Sequence, residues 1–171
     1  MKHTISLLVE NTFGAFDRVA TMFSAKGFNI RSISIGETEI QDISRMTIVT
    51  SGDDKLIEQV LKQLHRLIDT IKVIDLTGQD RTERELALIT VGYQMGSLEE
   101  IKNICDIFRG KVVDINNKTI MLEMTGPPAK VNAAVNVLMP YGIKEIARSG
   151  TVALKRGEQL KHPKKQYVQS A

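Results

Sequence analysis

One order of elements occurs twice along these 171 residues, and this repetition constrains the fold more than any single motif. In the first half, Thr4–Val9 carries Ile5, Leu7, Leu8 and Val9 and reads as a strand. Phe16, Val19, Ala20 and Phe23 then recur at i, i+3, i+4 and i+7, the spacing of a helix face, and Gly27 suits the helix end. Asn29–Ile35 and Arg45–Thr50 read as two further strands. Ser51-Gly52-Asp53-Asp54 opens a second helix, with a stripe of Ile57, Val60, Leu61, Leu64, Leu67 and Ile68. Thr70–Leu76 closes the half as a strand.

The second half begins after the polar stretch Thr77–Thr82. Glu85–Val91 is a strand; Ser97 and Glu100 have the spacing of a capping box ahead of Ile101, Ile104, Cys105 and Phe108; Gly110 ends that helix. Lys111–Ile115 and Thr119–Thr125 flank Asn116-Asn117 as a hairpin. Pro127 and Pro128 open a helix facing a core with Val131, Ala134, Val135 and Leu138, and Pro140-Tyr141-Gly142 turns the chain into a last strand, Ile143–Arg148. The pattern predicts an α+β chain of two tandem ferredoxin-like βαββαβ domains. The expected boundaries are 1–77 for the first, 78–84 for a linker, 85–157 for the second and 158–171 for a basic tail. Units this small bury a marginal core, so a partner for the free sheet face or edge is expected, most simply a homodimer.

Composition narrows the function. Aromatic residues make up 5% of the chain and Trp is absent, which leaves no stacking platform for bases. Lys26-Gly27-Phe28 matches only the start of an RNA-recognition signature. No nucleic-acid partner is expected. No apolar run approaches a membrane span, and the N-terminal run ends at Glu10 and Asn11 without a cleavage site, so neither a membrane segment nor a signal peptide is expected. A single cysteine, Cys105, excludes an internal disulfide and suits a reducing compartment. The residues from Lys155 to Ala171 hold five of the 23 basic side chains and one of the 20 acidic ones, a net of +4. The remaining 18 basic and 19 acidic side chains sum to −1, so the body is near neutral and only its end is basic.

Nothing resembles a reaction centre. His3, His65 and His162 share no ligand spacing with each other or with Cys105, and no metal site or catalytic residue is expected. Cys105 lies on an apolar helix face. Asp53, Asp54, Glu99 and Glu100 stand at helix starts, where dipole and capping account for them. No phosphate loop and no nucleophile elbow occurs.

What remains is the segment from His3 to Gly36. A helix N-terminus reached through Asn11 and Gly14 offers free N–H groups and a positive dipole end, suited to a small carboxylate. The same two residues would serve an ordinary strand-to-helix turn, and Asn29 an ordinary loop; the residues alone leave both readings open.

With those residues in view, the chain resembles the small regulatory subunit of acetolactate synthase. The similarity lies in HTISLLVEN, GAFDRVATMFSAKGFNIRSISIG, SRMTIVTSGDD, IEQVLKQLHRLIDTIKVIDL, ERELALITV and IARSGTVALKRG, and runs to about Gly157. The resemblance implies that the first domain is an ACT domain and that the chain is not itself an enzyme. It implies a catalytic large subunit as partner, carrying thiamine diphosphate, Mg²⁺ and FAD, which this chain activates and makes sensitive to valine. It implies a homodimer through the ACT domains, with effector between Asn11, Gly14, Ala15 and Phe16 of one chain and Asn29 and Ile30 of the other. Backbone N–H groups at Gly14–Phe16 would hold the carboxylate, oxygens near Asn11 and Asn29 the ammonium, and Ile30 would wall the side chain. The location implied is the cytoplasm, or a plastid stroma for a plastid-encoded chain. One departure stands inside the site: Thr12-Phe13 replaces the Lys-Pro or similar pair usual in the family. Two rival readings are a stand-alone amino-acid-binding ACT protein, disfavoured by the lack of a DNA-binding element, and a small enzyme on the same scaffold, disfavoured by the missing reaction centre.

Overall fold

A computed structural model of the chain describes residues 1–94 and 96–157. The basic tail assigned to 158–171 lies outside the described residues. The first half folds as β1 (Lys2–Glu10), α1 (Ala15–Ala25), β2 (Ile30–Glu37), β3 (Ile43–Ser51), α2 (Asp54–Leu64) and β4 (Thr70–Asp75). The second half follows with β5 (Arg81–Gly92), α3 (Leu98–Ile107), β6 (Lys111–Ile115), β7 (Thr119–Gly126), α4 (Pro128–Leu138), β8 (Ile143–Arg148) and β9 (Val152–Lys155). The sheets are antiparallel, ordered β2-β3-β1-β4 and β6-β7-β5-β8, the same topology twice, with β9 added on β5. Two ferredoxin-like βαββαβ units are thus present, as the pattern predicts.

Each sheet is covered by its two helices on one face, for a reason legible in the strand period. Ile5, Leu7 and Val9 alternate along β1 onto the side where Val19 and Phe23 of α1 and Val60 and Leu64 of α2 meet them, with Met46 and Ile48 of β3. Phe23 and Phe28 close the end of this core edge-to-face, with ring centroids 6.1 Å apart. In the second unit Ala87, Ile89 and Val91 of β5 do the same against Ile101, Cys105, Val131, Ala134 and Leu138. Cys105 is fully packed, and burial, with Asp106 adding to it, pushes its thiol above the usual value.

Four local expectations are corrected. The i, i+3, i+4, i+7 spacing puts Phe16 on the buried stripe of α1, but the buried face is Ala15, Val19 and Phe23, which turns Phe16 outward at 46% exposure. The apolar stripe predicts α2 through Ile68, yet the helix stops at Leu64: Arg66 and Leu67 donate to Gln63 and Leu64 in a tightened last turn, and Ile68 faces solvent. The Ser97–Glu100 capping box does not form. Ser97 Oγ instead closes a turn on Gln94, accepting from its N–H and donating to its carbonyl at 3.2 Å each, while Glu100 accepts from the Tyr141 hydroxyl. Finally, β5 starts at Arg81, not Glu85, because Arg81–Arg84 pairs with β9, a strand the pattern did not suggest.

That pairing joins the two units. The face of the first sheet turned away from its helices is also buried, at Thr4, Ser6 and Thr47. The β5–β9 ribbon and the turn before β9 lie against it. Thr4 Oγ1 donates to Glu83 Oε1 at 2.9 Å, and Ser34 Oγ donates to the Thr151 carbonyl at 2.8 Å. Gly150 makes the close approach possible: its φ is +77°, and a β-carbon there would stand 2.9 Å from the Ile33 carbonyl oxygen. Gly150→Ala therefore meets both backbone strain and a clash, whereas Gly78→Ala, at φ +71° in open space, meets strain alone. Urea unfolding should show a loss of about 1–2 kcal/mol for Gly78→Ala and distinctly more for Gly150→Ala. Equal losses would mean that the 149–152 turn does not bear on β2.

Candidate functional site

The loop between β1 and α1 is built by one acidic side chain from a distant part of the chain. Asp69, just ahead of β4, is 7% exposed. Its backbone carbonyl accepts from the Glu10 amide at 2.9 Å, where β1 ends. Its carboxylate accepts from Thr12 Oγ1 at 3.1 Å and from Arg18 Nη2 at 2.8 Å, and it also takes a very short contact from Arg18 Nε. Arg18 Nη2 reaches the Phe13 carbonyl as well, at 3.3 Å. The loop is thereby tied at Thr12, Phe13 and the first turn of α1 to a single anchor.

Gly14 stands at the helix start with φ +82°, a left-handed conformation that favours glycine. It has no side chain to cap the helix, so the first turn keeps its donors. Ala15 N–H is used by the Thr12 carbonyl and Arg18 N–H by the Gly14 carbonyl, while the amides of Gly14, Phe16 and Asp17 meet no acceptor among the described residues. Asn11 is fixed by its own amide, which donates to the Asp42 carbonyl at 2.7 Å; its side-chain nitrogen lies 3.4 Å from Glu37 Oε1 at the end of β2. Phe13 is fully exposed at the tip.

The other predicted half, Asn29 and Ile30, lies at the start of β2. The Asn29 carbonyl accepts from Thr50 Oγ1 at 2.7 Å, which pins the turn and leaves the side-chain amide exposed. Within one chain the two halves do not meet. Ile30 pairs with Thr50, Thr50 with His3, and the site loop begins only beyond Glu10, at the far end of β1. Seven residues of strand separate those levels, roughly 23 Å. Asn11, Gly14, Ala15 and Phe16 form one cluster and Asn29 and Ile30 another.

Sequence reasoning missed Thr12, Arg18 and Asp69. Arg18 follows Gly14 by four residues on α1 and was within reach of a helix-wheel argument; Asp69, 51 residues from Arg18, leaves no local signal. The surface between the end of β2 and the β5–β9 ribbon has no local sequence signal either. It is a groove of about 500 Å³ lined by Ile35, Glu37, Arg45, Arg84, Val152 and Leu154, and through Glu37 it abuts Asn11. Burial lowers the affinity of Arg45 for its proton, with Glu39 opposing. Among the described residues no group of histidine, cysteine or carboxylate side chains is placed to hold a metal ion, and no helix is long and apolar enough to cross a membrane.

Comparison with known proteins bears directly on this arrangement. A family model described as the small subunit of acetolactate synthase matches residues 84–157, and one for the small-subunit ACT domain matches residues 5–72. The chain belongs to the acetolactate synthase small-subunit family. The small subunit from Aquifex aeolicus is 51% identical over 162 residues, covering 94% of this chain and 84% of that protein. That from Mycolicibacterium smegmatis is 46% identical over 155 residues, 91% of each chain. The crystal structure of the Thermotoga maritima small subunit superposes with a TM-score of 0.84 at 40% identity, covering 93% of this chain and 99% of that one. The first unit is therefore an ACT domain, and the β1–α1 loop with its Asp69 anchor belongs to that domain.

The anchor has a pH signature. Arg18 above all, then Thr12, hold the Asp69 carboxyl below its ordinary value against the opposing effect of burial. A depressed folded value means that the pair stabilises fully above the ordinary carboxylate range, about pH 4, and that this contribution is lost as pH falls through the lower folded value. Thermal melting of the parent chain and of Asp69→Asn should differ at pH 7, and the gap should close on acidification below pH ~4. A gap unchanged down to pH 2 would show that the ionised pair is not its origin.

Proposed function

We propose that this chain is the regulatory subunit of acetolactate synthase, that it binds and activates the catalytic large subunit, and that valine bound across a dimer of ACT domains inhibits the complex. Thiamine diphosphate, Mg²⁺ and FAD belong, on this reading, to the catalytic partner, and the complex works in the cytoplasm or in a plastid stroma. The supporting observation is the separation of the two predicted half-sites to opposite ends of an edge strand. β2 is the outer strand of its sheet, so its free backbone edge can pair with a second copy. Antiparallel pairing of two β2 strands about an axis at Ile33 sets the partner subunit's Ile30 opposite Gly36, next to Glu37, at the end where Asn11 stands. Two half-sites about 23 Å apart in one chain then become two complete sites in the dimer.

The chemistry of each half suits an amino acid. Unpaired amides at Gly14, Phe16 and Asp17 and the dipole of α1 favour a carboxylate. The exposed amide oxygens of Asn11 and the partner subunit's Asn29 suit an ammonium. A ligand held by two chains favours the arrangement in which they close on it, and that differential affinity is what shifts an equilibrium. Coupling of about 1–3 kcal/mol gives roughly 5- to 150-fold in effect.

A mixed dimer tests the shared site. Gly14→Asp damages the loop half and Asn29→Ala the strand half, so each homodimer has two defective sites. A heterodimer of the two variants carries both defects in one site and none in the other. Calorimetric titration should find little valine binding to either homodimer and about one site per heterodimer. Binding to both homodimers would overturn the site, and absence from the heterodimer would overturn its division between chains. In reconstitution, adding the parent chain should raise large-subunit activity and make it valine-sensitive; no change in either leaves the stand-alone ACT reading.

A further inference from the structure

Arg18 stands where a helix tolerates a cation least. It lies in the first turns of α1, yet its side chain folds back to the positive end of the helix dipole, beside Gly14. Asp69 offsets that cost, and the way it does so is specific. The guanidinium presents Nε and Nη2 to the carboxylate, and Nη2 also to the Phe13 carbonyl. Nη1 takes no part in either contact and has no acceptor among the described residues. It lies 3.2 Å from the point that a β-carbon on Gly14 would occupy, so it borders the same surface as the unpaired amides of the loop. Its side chain is 43% exposed, against 10% for Asp69, so the ion pair is buried on the acid's side and open on the arginine's.

We propose that Arg18 is the residue that reads the carboxylate of the effector, and that Asp69 is its positioning residue. The inference rests on the reading above, that an amino acid binds at the start of α1. A guanidinium stays charged at any working pH and offers donors in a fixed fork, so clamping two of its nitrogens orients the third. Asp69 does this from a backbone already tied to the end of β1, and Thr12 steadies the second carboxylate oxygen. A side chain at residue 14 would both strain a φ of +82° and crowd Nη1, which gives the glycine a second reason. The unpaired amides alone would hold a neutral carbonyl oxygen passably; the cation is what makes the site prefer an anionic end group.

Valine and valinamide separate the two contributions, since they differ only at the group that Arg18 would meet. Both amines are protonated at pH about 6. Calorimetric titration of the full chain should show valine bound at least tenfold more tightly than valinamide. Arg18→Met should remove about tenfold of that preference by weakening valine and sparing valinamide, and Asp69→Asn should remove part of it. Circular dichroism checks the fold of each variant; should Arg18→Met fail to fold, Arg18→Gln keeps donors without the charge and supports the same comparison. If Arg18→Met weakens both ligands equally, Arg18 only shapes the loop and the assignment falls, while the effector site stands. If the parent chain binds neither ligand, the site itself falls, and Arg18 with it.

Discussion

Asp69 is the residue through which the first unit organises the end that carries the β1–α1 loop. It contributes a backbone carbonyl to the last amide of β1, one carboxylate oxygen shared by Thr12 and Arg18, and another to Arg18 alone. Four segments, β1, the loop, α1 and the start of β4, converge on this one residue. Its near-complete burial makes each of these contacts matter more, because a buried carboxylate without partners is costly. The loop that follows β1 is thus held from its underside, and its upper surface, with Gly14, the free amides and Phe13, is left open.

The same economy operates between the two units. A ferredoxin-like unit of this size covers one sheet face with its helices and leaves the other bare. Here the bare face of the first sheet is met by the β5–β9 ribbon, and β5 runs on through the ribbon into the middle of the second sheet. One twelve-residue strand therefore lies against the first sheet at its start and runs through the middle of the second. The contact combines the hydrogen bonds of Thr4, Ser34 and Glu83 with buried Leu8, Val49 and Ala153, and Gly150 allows the backbone of the turn to reach Ile33.

The fold was legible because its signals are local. Period-two and period-3.6 patterns, Gly27, Gly110, Pro127-Pro128 and the Asp53 cap, whose carboxylate accepts from the Leu56 amide, each act within a few residues. Where a local rule failed, a competing contact can be named. Ser97 has the right spacing for a capping box but finds a nearer partner in Gln94. Val152–Lys155 is too short to announce itself and becomes a strand only because Arg81–Arg84 is there to pair with it. The candidate site divides the same way. Gly14 and Asn11 were visible as a turn before a helix; the Arg18–Asp69 pair was not, since it depends on two residues 51 positions apart meeting at one end of a sheet.

That pair also gives a physical meaning to Thr12-Phe13. A proline in this loop would restrict the backbone covalently, by fixing φ. This chain has no such residue there, and restricts the loop from outside instead: Thr12 through its hydroxyl to Asp69, Phe13 through its carbonyl to Arg18. Both restraints end on the same ion pair. The loop's rigidity and the orientation of the guanidinium are therefore set together. Phe13, freed of a structural duty for its side chain, stands fully exposed beside the opening.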